Sequence, residues 1–239
     1  MNGVGLRSIS NAIISGSRRF FKSLRQRRRV FGLSRSWAIV PVVLMLMLLP
    51  RLLPKPALSN AFPSSRSVTS SDGQLLRLTL ATDDQYRLWT SLPAIAKPLQ
   101  EAVLLYEDRW FYWHFGVNPW ALARATISTA TGKRRIGGST ITMQLARHLY
   151  HIDSRSVRGK LWQATVAFWL EWRYSKSDIL EAYLNYAPYG GNVEGVGAAS
   201  LVYWRKPVHD LNVPEAINLA VIPQNPKKRL PEFSGKGET

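Results

Sequence analysis

Residues 155–174 read RSVRGKLWQATVAFWLEWRY, and their pattern decides the fold class. Leu161, Phe168 and Trp172 are apolar, and so are Trp162, Val166 and Trp169, which fall elsewhere on a helical wheel. A helix that is apolar all round belongs inside a core. The sequence therefore predicts a long, central, buried helix here and a domain that is mainly α. Segments on either side agree. Residues 98–105 are apolar and lead into Tyr106-Glu107-Asp108. Asn118-Pro119 is an N-cap with proline at the first helical position, opening a helix over 120–128. Ser139 is read as the cap of 140–150 and Ser177 as the cap of 178–186. Residues 193–203 are rich in small side chains that allow close packing. Asn212, followed by Pro214 and Glu215, opens a last helix ending near Pro223. Residues 129–138 form a basic, glycine-containing loop, and no repeat occurs.

The N-terminal third has a different composition. Residues 55–71 are rich in proline and serine and read as a linker. Ser71-Asp72-Gly73 is a turn signal. Leu75, Leu76, Leu78 and Leu80, then Tyr86 and Leu88, alternate roughly and predict two short strands flanking 81–85, a small β-stalk. The chain carries 32 Lys and Arg against 15 Asp and Glu, a formal charge of +17. Residues 1–71 hold 12 of the basic residues and no acidic one. The charge excess is thus mostly a property of the arm, and it gives no reason to expect a nucleic-acid partner. The basic arm precedes an apolar run at 37–49, which extends to Leu53 if Arg51 snorkels. This predicts an uncleaved signal anchor. A cleaved signal peptide is the rival reading, disfavoured by the long basic region and the lack of an A-x-A site. A basic nucleic-acid tail is the third. The expected organisation is a basic cytoplasmic arm at 1–36, one transmembrane helix at 37–53, a linker and β-stalk at 54–91, the main domain at 92–230 and a tail at 231–239. The expected localisation is single-pass in the inner membrane with the domain periplasmic. The absence of cysteine excludes disulfides and Cys-ligated metals, and suits an exported chain.

Two local features carry chemistry. Glu107-Asp108-Arg109 ends an apolar helix and is followed by Phe111, His114 and Gly116. A carboxylate in that setting is a candidate for a raised pKa and general-base work. The plainer alternative is a helix-end acid paired with Arg109. Gly137-Gly138-Ser139-Thr140 precedes a helix, an arrangement whose free N–H groups suit phosphate. Lys133, Arg134 and Arg135 before it and Arg147 after it strengthen the case for an anionic ligand.

These segments together resemble the peptidoglycan glycosyltransferases (glycosyltransferase family 51). Glu107-Asp108-Arg109-x-Phe111-x-x-His114-x-Gly116 is similar to the family's first motif. Residues 137–144, GGSTITMQ, are similar to the second, and Lys176-x-x-Ile179-Leu180-Glu181-x-Tyr183-Leu184-Asn185 to the fourth. The resemblance covers roughly 92–230, and in detail lies nearest the 1C-type penicillin-binding proteins, through Gly159-Lys160-Leu161 and Ala187-Pro188-Tyr189-Gly190-Gly191. It implies a lysozyme-like, mainly α glycosyltransferase domain. The activity implied is polymerisation of lipid II into glycan strands, with inversion and release of undecaprenyl pyrophosphate. Lipid II, the nascent strand and the membrane are the implied partners, and other cell-wall synthases are admissible ones. Glu107 is the implied catalytic base. Asp108, Arg109, Phe111, His114, Gly137, Ser139, Thr140, Gln144, Arg147, Arg158, Lys160 and Gln163 are the implied substrate-binding residues. Trp110, Trp113 and 120–127 either form the family's membrane-contacting jaw or pack in the core.

The chain departs from the family at its third motif, usually Arg-Lys-x-x-Glu. Here Gly159 replaces the arginine, with Arg158 one position earlier, and Gln163 replaces the glutamate. Glutamine is no base and a poorer ligand for a divalent cation. Magnesium or manganese is thus admissible but not certain, and no metal ligand is assigned. Met143 replaces the first glutamine of the second motif. No Ser-x-x-Lys or Lys-Thr-Gly occurs, so no transpeptidase domain is expected, and the chain reads as monofunctional or shortened. An active polymerase is the leading reading. A non-catalytic lipid II-binding or scaffold protein and a lysozyme-type hydrolase are the alternatives.

Overall fold

The computed structural model describes residues 39–45, 48–71, 75–130 and 138–229. The arm at 1–36, Gly137, the basic triplet Lys133-Arg134-Arg135 and the tail at 231–239 lie outside the described residues. The chain divides into two units, Met1–Pro54 and Lys55–Thr239. The first is helical at 39–45 and 48–52. Among the described residues no helix is long and apolar enough to cross a membrane. This corrects the expected transmembrane helix at 37–53 and, with it, the single-pass inner-membrane localisation. The physical reason is length. The uninterrupted apolar run covers 37–49 before Pro50 and Arg51, and it spans about 20 Å as a helix, against a hydrocarbon core of about 30 Å.

The second unit is mainly helical. Its helices are α1 (Lys97–Glu107), α2 (Pro119–Ala130), α3 (Ile141–Leu149), α4 (Val157–Arg173) and α5 (Lys176–Tyr186), followed by α6 (Val196–Trp204), α7 (Val213–Val221) and α8 (Pro226–Arg229). The expected caps are present, some displaced by one or two residues. Asn118 accepts from Ala121 N, and Asn212 forms a reciprocal capping box with Glu215. Thr140, not Ser139, caps α3, and Ser175, not Ser177, caps α5 in a box with Asp178.

Among the described residues five short strands accompany the helices: β1 (Ser67–Thr69), β2 (Leu75–Leu78), β3 (Tyr86–Arg87), β4 (Pro188–Gly190) and β5 (Val193–Glu194). The strands expected around 81–85 both exist, as β2 and β3, but they do not form one stalk. β2 pairs antiparallel with β1, whereas β3 runs parallel to β5. Arg87 explains the difference. Its buried guanidinium bonds Glu194 on β5, Asp83 and Pro63 O, which draws β3 into the main domain.

The expectation for α4 is corrected. Leu161, Trp162, Phe168, Trp169 and Trp172 are exposed, and the buried positions are Gln163, Val166, Ala167, Leu170 and Glu171. These five recur at intervals of three and four, so they form one stripe. The small side chains in that stripe admit a close neighbour, and the aromatics occupy the remaining arc. Phe168 pairs with Phe115 and Trp169 with Trp172. The central helices are instead α3 and α5. Seven of the last eight residues of α5, Ile179, Leu180 and 182–186, are buried. α3 packs against both α4 and α5, and α1 packs against α7. The close packing expected of 193–203 is present. A Cβ on Gly197 would stand 2.6 Å from Leu88 O.

Gly116 is a second close approach. Its φ is +81°, and a Cβ there would stand 2.8 Å from the Ala167 carbonyl on α4. Positive φ and backbone contact together leave no room for a side chain. Gly116→Ala should destabilise the domain by about 2 kcal/mol or more. A lowered urea midpoint without change in the slope would register it, and an unchanged midpoint would refute the packing argument.

Candidate active site

α1 ends at Glu107, and Asp108 is its C-cap. The Asp108 carboxylate is buried. His114 Nε2 lies 3.0 and 2.9 Å from its two oxygens, and the Ile141 N–H donates to Oδ2 at 3.0 Å. Ile141 is the first residue of α3, so this carboxylate sits on the positive end of that helix. Thr140 adds a second stitch, donating to Gly116 O at 2.6 Å while accepting from Met143 N. The N-terminus expected to hold phosphate is thus partly engaged by the protein itself. Phe111 is buried beneath the loop, with the Lys176 ammonium 4.3 Å from its ring centroid. Asp108, Phe111, His114 and Thr140 are therefore held in the interior, where they fix the shape of the site.

Glu107 points the other way. Gln144 Nε2 on α3 donates to its Oε2 at 2.8 Å. Its Oε1 is buried and finds no hydrogen-bond partner among the described residues. Burial raises the Glu107 pKa above its ordinary 4.5. The Gln144 bond and the positive charges of Arg229 and Arg147 oppose that rise, and the charge of Asp108 adds to it. The Tyr183 and Tyr189 hydroxyls are also buried without partners among the described residues. Burial pushes both far up, and the charge of Glu107 pushes them further, so they stay neutral.

Lys160 and Arg147 form the cationic side. Lys160 Nζ donates to Ser139 Oγ at 2.5 Å and to Gln163 Oε1 at 3.0 Å. Burial, and then the charge of Arg147, lower its pKa. The two positive charges repel, and an anion bound between them would relieve that repulsion. Arg147 also lines a cavity of about 280 Å³ with Arg87, His148 and His151. Burial and Arg147 depress His148 to about 4, so it is neutral there. Gln163 is wholly buried, and its Nε2 donates to Met143 O at 2.6 Å. It joins α4 to α3 and orients Lys160. Glu171 is no substitute carboxylate, because Thr142 and Lys176 both donate to its Oε1, at 2.6 and 2.7 Å.

Several sequence candidates lie apart from this group. Arg158 is exposed and lines a separate cleft of about 770 Å³ with Tyr150, Asp153 and Trp162. Arg109 is exposed, with its guanidinium 5.9 Å from the Trp110 ring and no ion pair to Glu107, so the plainer reading of the first motif fails. Trp110, Trp113 and Trp120 are exposed, which removes core packing as their explanation. Arg229 acts electrostatically on Glu107, and Glu107 on Tyr183 and Tyr189; the tyrosines lie in the family-like stretches of the sequence without being named as site residues, and no motif marks Arg229. Among the described residues no cluster of three or more His, Asp or Glu is placed to hold a metal ion.

The family model described as Transglycosylase matches residues 72–236. The chain belongs to the transglycosylase family. Membership makes it a glycosyltransferase. It is 42% identical to penicillin-binding protein 1C of Escherichia coli K12 over 169 residues, which cover 70% of this chain and 22% of that protein. It is 36% identical to penicillin-binding protein 1A of Aquifex aeolicus over 197 residues, covering 80% and 27% respectively. Penicillin-binding protein 4 of Bacillus subtilis is 38% identical over 156 residues, covering 65% and 25%. The chain thus spans about a quarter of the length of these relatives, and its likeness is to several penicillin-binding proteins rather than to one.

The raised pKa of Glu107 gives this transglycosylase domain a pH signature. The folded state binds the Glu107 proton more tightly than the unfolded chain. This residue's contribution to stability therefore falls as pH climbs from 4.5 through the raised value. Glu107→Gln keeps a carbonyl oxygen for Gln144 and removes the buried charge. Its melting temperature at pH 7 should equal or exceed that of the wild type. Asp108→Ala, which strips His114 and Ile141 N of their acceptor, should cost about 3 kcal/mol. If the two variants rank in the reverse order by thermal unfolding, the assignment of the two neighbours is wrong.

Proposed function

We propose that this domain polymerises lipid II into glycan strands, with inversion at the donor anomeric carbon and release of undecaprenyl pyrophosphate. The observation that carries the reading is Glu107. It is a largely buried carboxylate of raised proton affinity, held by one oxygen and free at the other, with Arg147 acting on it from α3. In the proposed reaction, the acceptor sugar 4-hydroxyl gives its proton to Glu107 as its oxygen attacks the donor anomeric carbon. The bond from that carbon to the diphosphate oxygen breaks, and the electron pair leaves with the diphosphate. Arg147 and Lys160 stabilise the charge that develops there, acting in a partly buried site where it counts for more than in water. No step is routed through a metal ion.

Gln163 supports a 1C-type assignment within the family. Its amide bonds to Met143 O and Lys160 use both ends of the side chain, so the residue orients a cation instead of acting as an acid or base. The same glutamine is the one observation that favours a second reading, a lipid II-binding scaffold without catalysis. Incubation of the full chain with labelled lipid II separates them. Polymer supports the first, retention without turnover the second, and cleavage of preformed glycan would make the domain a hydrolase.

Glu107→Gln should lower polymerisation by about 10²–10⁴-fold while lipid II still binds. Full activity in that variant would remove Glu107 as the base. Turnover in the wild type should fall on the acid side of neutrality, at a pH above that of an ordinary glutamate, because the base works only when ionised. Arg147→Ala should weaken both binding and turnover, by about 10- to 100-fold for the loss of a charge-assisted hydrogen bond. An unchanged binding isotherm would place the diphosphate elsewhere.

A further inference from the structure

Gly159 leaves no room for a side chain. A Cβ there would collide with the Asp153 carbonyl oxygen. The arginine of this stretch therefore stands at 158, rotated about 100° around the helix from position 159. Gln163 and Gly159 share the face of α4 that meets α3, and Arg158 does not. It falls instead on a stripe with Leu161, Trp162 and Thr165, at spacings of three, four and seven residues. These four side chains line the cleft of about 770 Å³, and the turn after α3 contributes Tyr150, His151 and Asp153 to it.

The cleft combines aromatic rings with unpaired charges. Tyr150 and Trp162 are 51% and 56% exposed, so neither ring is used up in packing. Arg158 makes no hydrogen bond or ion pair among the described residues. Asp153 Oδ1 accepts the Arg155 N–H at 3.1 Å, and the carboxylate forms no ion pair with Arg158 although both line the cleft. A pyranose offers an apolar C–H face to an aromatic ring, and hydroxyl and acetamido groups to a guanidinium and a carboxylate. A polyprenyl chain fits poorly, because it would cover Arg158 and Asp153 without giving either a hydrogen bond.

His151 connects this cleft with the site already described. It follows the end of α3 with φ at +48°, a backbone conformation that a side chain adopts at a cost. It lines both this cleft and the smaller cavity that contains Arg147. An elongated ligand that lies against Arg147 can therefore continue past His151 to Arg158 and Trp162.

We propose that this cleft is a saccharide subsite, which holds sugars of a glycan strand beyond those that react beside Glu107. That it serves a growing strand rests on the function proposed above. That it binds a glycan does not, and it can be read in the free protein.

The test adds a tetrasaccharide of alternating N-acetylglucosamine and N-acetylmuramic acid, without lipid or diphosphate, to the full chain. The readout is the indole N–H NMR spectrum, in which Trp162 is assigned among the nine tryptophans by Trp162→Phe. The Trp162 signal should move with added saccharide, while that of Trp172, on the same helix outside the cleft, stays in place. Arg158→Ala should weaken binding roughly 10-fold, and Tyr150→Ala roughly 3- to 10-fold. A melting temperature near wild type shows that the fold is kept. With lipid II as substrate, Arg158→Ala should yield strands roughly 3- to 10-fold shorter, because a strand held less tightly leaves sooner between additions. A Trp162 signal unmoved by the tetrasaccharide overturns the proposal, as does equal affinity in Arg158→Ala. So does a Trp162 signal that responds to farnesyl phosphate and not to the saccharide. Strands of wild-type length from Arg158→Ala would overturn the link to strand growth. A chain that binds the tetrasaccharide at Trp162 but never polymerises lipid II supports the subsite and defeats the proposed function. Polymerisation with Trp162 unmoved does the reverse.

Discussion

The buried carboxylate of Asp108 couples three parts of the chain that would otherwise move independently. It takes hydrogen bonds from His114 and from the first amide of α3, while its own backbone closes α1. Each bond to a charged acceptor contributes about 1.5–3 kcal/mol, and the helix end adds up to about 2 kcal/mol more in a buried setting. Glu107 is one residue away, so its direction follows from that of its neighbour. With Asp108 turned inward onto the start of α3, Glu107 meets Gln144 one turn further along the same helix. The arrangement also has a chemical consequence. The helix end that would attract a phosphate already carries a carboxylate, which is why the proposed reaction assigns the diphosphate to the side chains of Lys160 and Arg147.

Polar groups, not the aromatic ones, fix α4 against its neighbours. Gln163 bonds the Met143 carbonyl and Lys160, and Glu171 bonds Thr142 and Lys176. Lys176 also donates to His114 O, which links α5 to the loop that Asp108 organises. A buried ion pair is weak evidence of net stabilisation, but removing one partner typically costs about 3–5 kcal/mol. Polar bonds of this kind specify one register of α4 against α3, whereas an aliphatic stripe would allow several. That register sets the position of Lys160, about three turns before Glu171 on the same helix.

The parts of this fold that the sequence makes legible are those with local causes. Helix starts at Asn118 and Asn212 follow from an amide side chain and a proline within the first turn. Where two hydroxyls compete, as at Ser139 and Thr140 or Ser175 and Ser177, only backbone geometry selects the cap, and the sequence reading misplaces it by one or two residues. The burial of α4 was misjudged for a related reason. Aromatics on every side carry no phase, and the deciding stripe is made of small and polar residues with distant partners. The run at 37–49 has the composition of a membrane span but not the length, and its basic flank does not make up the difference. In the site, Glu107, Gln144, Arg147 and Lys160 are legible through the family motifs. Arg229 is not, because its place beside Tyr106 depends on the packing of α1 against α7, between segments more than a hundred residues apart.

The electrostatics of Glu107 show why such a distant residue matters. Burial disfavours the ionised form of this carboxylate and raises its proton affinity. Strong cationic contact alone would ionise it and leave a base too weak to take a proton from a sugar hydroxyl. Here burial dominates, and the Gln144 bond, Arg229 and Arg147 oppose it in that order. The result is a carboxylate of enhanced proton affinity, with positive charges nearby that oppose the rise. In the proposed reaction the balance changes as the reaction proceeds. The proton arriving at Glu107 cancels a negative charge near Arg147 at the same moment that the breaking bond creates one on the diphosphate. The cation then transfers its attraction from base to leaving group, so neither half of the step leaves a buried charge uncompensated.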